Sequence, residues 1–280
     1  MSKDGHKAWS APFLRWAGSK RQLLPTLMRA WIGGGTYFEP FAGSACLFFA
    51  LKPSKAVLGD INKKLMDVYM TVRQHPRLVY RALVQLPSSS EFYYEIRDKD
   101  HSSMDPIGRA AAFIYLNRNC FNGVYRTNKE GKFNVPRGRN TGSLPSEALI
   151  YRCSIALRAS KLLSADFFEV IDGVSRNDFV YLDPPYSTSS RRAYGEYGYG
   201  SFEKSDLGRL ESALKYIDSV GAKFLLSYAD SSDIEPLKKE WNYTRVQVRR
   251  NVSGFSSSRR LASEVVISNS DLGKASLVEI

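Results

Sequence analysis

The chain is short of cysteine and histidine, and it has no long apolar run. Its three cysteines, Cys46, Cys120 and Cys153, lie 74 and 33 residues apart, a spacing that matches neither a metal knuckle nor a redox pair. Reduced structural thiols of an intracellular protein are therefore expected. No disulfide framework is needed, because 280 residues can bury a substantial core without staples. His6, His75 and His101 have no partners at ligand or triad spacing, so surface or capping roles are expected and metal catalysis is not indicated. Nowhere do 18 apolar residues run together, and the stretch MSKDGHKAWSAPF has no apolar core of signal-peptide length. The expectation is a soluble, cytoplasmic chain with no membrane partner. Internal repeats and low-complexity tracts are absent as well.

Acidic charge is also in deficit. Against 40 Lys and Arg stand 28 Asp and Glu, a formal net charge of +12, and 12% of the residues are aromatic. Cations displace counterions from phosphates and aromatic rings stack on bases, so this balance suits a nucleic-acid partner. The charge is clustered. Residues 117–139 hold six basic residues and one acid, and residues 245–260 hold five and none.

What is present is an alternation of short apolar strands with amphipathic helices. TYFEPFAG (36–43), KAVLGD (55–60), DFVYLD (178–183) and KFLLSYA (223–229) read as buried strands. Leu65, Val68, Tyr69 and Val72 recur at helical spacing within 62–74. A second helix is expected over 205–221, with Ser205 as N-cap, Leu207, Leu210, Leu214 and Ile217 on one face, and Gly221 as the stop. Such units predict an α/β chain with a doubly wound, mostly parallel sheet, whose ligands sit beyond the carboxyl ends of the strands. The rhythm breaks in the middle. Residues 76–116 look helical, and RTNKEGKF within 117–145 reads as a hairpin turning near Lys129–Gly131. The expected organisation is a sheet domain of residues 1–75 and 146–280 with 76–145 inserted as a smaller helical and hairpin region.

The rim of that sheet carries the chemistry. In FEPFAGSA a strand runs into small residues and then an apolar helix, so a ligand can approach the backbone at Gly43. Asp60 follows Gly43 by 17 residues, near the roughly 20-residue interval at which an acid reaches a ribose hydroxyl. A nucleoside-like cofactor is the inference. The third strand ends in Asp183-Pro184-Pro185-Tyr186. Consecutive prolines remove backbone donors and fix φ, which makes a rigid loop that presents only acceptors and one aromatic face. That inventory suits a flat molecule that donates hydrogen bonds.

Taken in order, FLRWAGSK (13–20), FEPFAGSA (38–45), LGDIN (58–62), NRNCFNG (117–123), GKFNVPRGR (131–139) and VYLDPPY (180–186) resemble the motif series of Dam-like DNA adenine-N6 methyltransferases, from Phe13 to about Asn269. The resemblance implies a Rossmann-like S-adenosylmethionine-dependent methyltransferase fold and a cytoplasmic, nucleoid-associated enzyme of bacterial or phage type. It is shared by enzymes that write an epigenetic mark and by those of restriction–modification pairs. By this resemblance Trp16, Ala17, Gly18 and Lys20 close over S-adenosylmethionine, and Glu39, Pro40, Phe41 and Gly43 hold its methionine part. Asp60, with Ile61 beside it, takes the ribose, Asp166 and Phe167 cup the adenine, and Asp183 completes the cofactor set. Relatives commonly place a second glycine where this chain has Ala45.

The same resemblance gives the tetrapeptide its task. A target adenine must be flipped out of duplex DNA, at a cost of a few kcal/mol, before its amine can be reached. Tyr186 would replace some of the lost stacking, while the Asp183 carboxylate and the Pro184 carbonyl accept the two amine hydrogens. In the hairpin, Arg126 suits a bidentate contact to a guanine edge, worth about 1–3 kcal/mol of discrimination. By resemblance, Phe121 and Asn122 contact the gap left by the base, Val124 the neighbouring pair and Pro136 a thymine methyl, and Asn128 joins the DNA-binding set. Arg118, Lys129, Lys132, Arg137 and Arg139 are expected on phosphates. The loop over 187–200 is expected to order over the flipped base. GATC is the first expectation for the site. Two other classes stay open: a DNA-binding regulator without catalysis, and a methyltransferase for another planar amine, on cytosine N4, RNA or a protein glutamine.

Overall fold

The computed structural model describes residues 11–31, 33–128, 130–139, 141–186, 202, 204–250 and 260–271. Its strands are β1 (Tyr37–Glu39), β2 (Ala56–Asp60), β3 (Ser160–Ser164), β4 (Phe179–Leu182), β5 (Lys223–Ala229), β6 (Asn242–Arg250) and β7 (Arg260–Ser268). They form one seven-stranded sheet in the order β3-β2-β1-β4-β5-β7-β6. The first five strands pair in parallel, and β7 pairs antiparallel with both β5 and β6. Chain order reverses at β1, which lies between β2 and β4. A doubly wound sheet opens a crevice at the carboxyl ends of its strands at such a reversal.

The central strands are apolar on both faces because helices cover both. Side chains alternate along a strand, and the burial follows that period of two. Tyr37, Phe179, Tyr181 and Leu225 enter one apolar cluster, while Phe38, Val180, Leu182, Phe224 and Leu226 enter the other. On the first face lie α1 (Leu24–Ala30), α2 (Cys46–Leu51), α3 (Lys63–Gln74) and α7 (Glu147–Leu157), and α4 (Pro76–Val84), α5 (Ser90–Asp98) and α6 (Pro106–Asn119) extend the same apolar cluster beyond them. The second is covered by α8 (Phe167–Ile171), α9 (Lys204–Ser219) and α10 (Glu235–Glu240). Truncating one of these buried leucines to alanine costs about 2–5 kcal/mol.

Local chemistry sets the helix ends. The Asn62 side chain accepts from the Leu65 amide at 3.2 Å and starts α3, and Asp105 accepts from Ile107 and Gly108 ahead of Pro106 in α6. Ser205 does not act as the expected N-cap, because α9 already includes Lys204. At its other end α9 stops as expected at Gly221, whose φ is +78°. The Ala222 amide reaches the Ile217 carbonyl at 3.1 Å and the Gly221 amide reaches Asp218 at 2.9 Å, the Schellman arrangement. Residues 119–138 form an antiparallel ribbon rather than full strands, with bridges Cys120–Arg137 and Thr127–Phe133. Its tip closes where the Gly131 amide bonds the Asn128 carbonyl at 3.0 Å; Lys129 lies outside the described residues.

Candidate active site

Three strand ends meet at the crevice: Glu39 closes β1, Asp60 closes β2, and Asp183 follows β4. Around them lies a cleft of ≈ 290 Å³. Every residue nominated for cofactor or catalysis lines this one cleft: Trp16, Ala17, Gly18, Lys20, Glu39, Pro40, Phe41, Gly43, Asp60, Ile61, Asp166, Phe167, Asp183, Pro184, Pro185 and Tyr186.

Gly43 explains the small-residue turn after β1. Its φ is +45°, and a Cβ there would come within 2.9 Å of the Trp16 indole, so only glycine lets the two segments close. Its amide donates to Asp60 Oδ2 at 3.0 Å and the Asn62 amide donates to Oδ1 at 2.9 Å. Burial raises the Asp60 carboxyl above its ordinary value, against these two amide bonds, which favour the charged form. Each carboxylate oxygen keeps a lone pair for a further donor. Ala45 adopts the left-handed conformation, φ 50° and ψ 41°, immediately before α2. A glycine would adopt that conformation without strain.

The acceptor loop is held from beneath. Lys20, only 5% exposed, places Nζ 2.8 Å from Asp183 Oδ1 and 5.2 Å from the Tyr186 ring centroid, and donates to the Gly18 carbonyl at 2.9 Å. The Ser227 hydroxyl of β5 donates to the same Asp183 oxygen at 2.9 Å, with Tyr181 3.0 Å behind it. Burial works to lower Lys20, but the negative charge of Asp183, with Tyr186 and Glu264 nearby, outweighs it and holds the ammonium well above its ordinary value. Lys20 is thus a fixed cation. Burial raises Asp183 in turn, opposed by Lys20 and Ser227. Removing one partner from such a pair costs about 3–5 kcal/mol, because it strands a buried charge. Glu39 is pushed up to about 8 by burial, against a 2.8 Å bond from the Tyr37 hydroxyl that favours its ionised form.

At the far end, Phe41 stacks on Phe167 with ring centroids 5.1 Å apart, beside the exposed Ile61. Asp166 caps α8 by accepting from the Phe168 amide at 3.0 Å, and it also accepts from Arg209 of α9 at 2.7 Å. The Arg209 guanidinium lies 4.8 Å from the Phe167 ring. Sequence reasoning missed Arg209, which lines the cleft, and Ser227, which bonds Asp183, because each comes from an element distant in the chain. Among the described residues, no three His, Cys, Asp or Glu side chains gather as metal ligands would, and no helix is long and apolar enough to cross a membrane.

The ribbon nominated for DNA flanks this cleft through Trp16, which stacks on Tyr125 at 5.8 Å and 12°. Phe121, Asn122, Asn128, Lys132, Pro136 and Arg139 are exposed, and Val124, Arg126, Arg118 and Arg137 are half-buried. The half-buried arginines hold carbonyl or amide groups: Arg126 donates to Asn134 Oδ1 at 2.8 Å, Arg118 to the Ser143 carbonyl at 2.9 Å and Arg137 to the Ser88 carbonyl at 3.0 Å. A guanidinium has five donors, so each retains others for a second partner. The segments 187–200 and 251–259 lie outside the described residues.

Fold and cleft together define a doubly wound α/β protein whose candidate ligand site lies at the switch point of its sheet. Residues 16–252 match the model of the D12 class N6 adenine-specific DNA methyltransferases, and the chain belongs to that family. It is 35% identical over 269 residues to the Type II methyltransferase M1.LlaDCHI of Lactococcus lactis subsp. cremoris, covering 92% of this chain and 95% of that protein. It is 34% identical over 277 residues to the Type II methyltransferase M.MjaIII of Methanocaldococcus jannaschii, covering 89% and 95%. With the DNA adenine methylase of Escherichia coli K12 it shares 32% identity over 269 residues, covering 91% and 93%. The chain is a site-specific DNA adenine methyltransferase.

Proposed function

We propose that this enzyme transfers the methyl group of S-adenosylmethionine to N6 of an adenine flipped out of duplex DNA, with Asp183, Pro184, Pro185 and Tyr186 as the pocket for that base. The carrying observation is the double-proline loop lining the cleft, with Asp183 locked between Lys20 and Ser227 at 2.8 and 2.9 Å. The cofactor supplies an electrophilic methyl on a sulfonium. The residues present suit it: Glu39 for its cationic methionine end, Asp60 for ribose hydroxyls and the Phe41, Ile61 and Phe167 surfaces for its adenine.

At the target, the Asp183 carboxylate and the Pro184 carbonyl accept the two amine hydrogens. Accepting them disfavours delocalisation of the nitrogen lone pair into the ring and makes the nitrogen a better nucleophile. Lys20 and Ser227 hold Asp183 in place, so no reorganisation is needed as charge develops on the nitrogen. Tyr186 stacks on the base, a contact worth about 1–3 kcal/mol. Holding both reactants in one cleft supplies much of the remaining acceleration. Residues 76–145 act as the inserted DNA-reading region, with Arg126 on a guanine edge, Phe121 and Asn122 at the vacated position, and Lys132 and Arg139 on phosphates. Residues 1–75 and 146–280 make up the catalytic domain.

The test is nucleoside analysis of duplex DNA incubated with the protein and methyl-labelled S-adenosylmethionine, followed by methylation-aware sequencing with GATC as the first site examined. Labelled N6-methyladenine in one sequence context supports the reading. Label on cytosine, on RNA offered in parallel or on the protein contradicts it.

A further inference from the structure

Tyr125 belongs to neither the cofactor set nor the DNA set, yet it joins them. It sits on the ribbon between Val124 and Arg126 but is only 5% exposed. One face of its ring stacks on Trp16, at 5.8 Å and 12°. It also stacks against Phe113 of α6 at 5.3 Å and 25°, and meets Phe133 from the returning half of the ribbon at 5.6 Å. Trp16 itself is packed so tightly over the cleft that one added methyl at Gly43 would lie 2.9 Å from its ring. Ring-to-ring contact therefore runs unbroken from the cleft lining at Trp16 into the ribbon.

A second, independent link fixes the backbone that carries Trp16. The Arg15 amide donates to Asn117 Oδ1 at 2.8 Å, and Asn117 Nδ2 donates back to the Arg15 carbonyl at 2.6 Å. Asn117 is only 2% exposed and sits near the end of α6, just ahead of the ribbon. Reciprocal bonds of this kind leave the segment no freedom to slide without breaking both part-buried bonds. Close-packed interiors of this type transmit displacement rather than absorb it.

We infer that Tyr125 is a positioning residue that locks the DNA-reading ribbon, and Arg126 beside it, to the cofactor wall at Trp16, with Asn117 holding the register. A ligand that settles Trp16 then settles the ribbon, and by linkage DNA on the ribbon changes cofactor affinity by the same factor. This inference rests on the proposed reading of the cleft as the cofactor site and of the ribbon as the DNA reader.

The experiment is calorimetric titration of S-adenosylhomocysteine, a non-reactive probe, into the full chain, free and saturated with a duplex carrying the sequence methylated by the wild type. Wild type, Tyr125→Phe, Tyr125→Leu and Phe113→Leu are compared. In wild type the two affinities are expected to differ by about fivefold or more, the usual range of site-to-site coupling. Tyr125→Phe, which keeps the ring, should retain that ratio. Tyr125→Leu should bring it close to one, and Phe113→Leu, remote from the cleft, should lower it part of the way. A wild-type ratio near one overturns the inference. So does a Leu variant that keeps the wild-type ratio, a Phe variant that loses it as fully as Leu, or an unchanged ratio in Phe113→Leu. If wild type fails to bind the probe at all, the reading of the cleft falls first and this inference with it.

Discussion

Glu39 is the residue whose charge state the fold controls most visibly. Buried at the end of β1, its carboxyl is pushed up to about 8, which favours the protonated form at neutral pH. A folded-state value above the unfolded one stabilises the protein fully at pH values below the unfolded carboxylate range. That contribution is lost as pH rises through about 8. The melting temperature of wild type should therefore fall on going from pH 6 to pH 9 more steeply than that of Glu39→Gln, which cannot ionise. Parallel melting curves measured by calorimetry in the two proteins would contradict the assignment. The same proton gives a binding signature: a cationic ligand favours ionised Glu39, so cofactor binding near neutral pH should release a proton that the Gln variant does not release.

At the scale of elements, the turn into α2 and the DNA-facing ribbon make separate demands. Ala45 holds a left-handed conformation at φ 50°, which costs a non-glycine residue about 1–2 kcal/mol. Ala45→Gly should relieve part of this and raise the melting temperature by a few degrees, read in a thermal scan; a drop would show that the alanine methyl packs usefully. In the ribbon, Arg126 is pre-oriented by Asn134 at 2.8 Å, leaving part of its donor fork for a base edge. Arg126→Ala should relax discrimination at one position of the target by about 1–3 kcal/mol while methylation itself persists. An unchanged sequence profile would remove Arg126 from base reading. These elements were legible to different degrees. β1, β2, β4 and β5 announce themselves as apolar runs because both faces are buried, and the Asn128–Lys132 turn follows from its Asn and Gly content. β3 (SKLLS) and β6 (NYTRVQVRR) sit at the sheet edges and take their strand form from a neighbour's backbone; β3 is too short to show a period, and in β6 the alternation of Thr244, Val246 and Val248 with Arg245, Gln247 and Arg249 is hidden by its basic charge. Ser227 is invisible for a related reason. It lies 44 residues from Asp183 in the chain and reaches it only because β5 pairs with β4.

At the scale of the whole molecule, the sheet's reversal at β1 gathers residues from Trp16 to Arg209 around one cleft, and the ribbon that carries Arg126, Lys132 and Arg137 meets it at Trp16. The cleft was foreseeable as a set of strand-end motifs; the Lys20–Asp183–Ser227 lock inside it was not, since it depends on three segments meeting. The most direct measurement is single-turnover methylation of a cognate duplex by Asp183→Ala, with duplex affinity measured in parallel by fluorescence anisotropy. Wild-type protein should form N6-methyladenine, and the variant should form no detectable product while binding the duplex nearly as well. Turnover by the variant at a rate close to wild type would contradict the claim that this carboxylate holds the adenine amine.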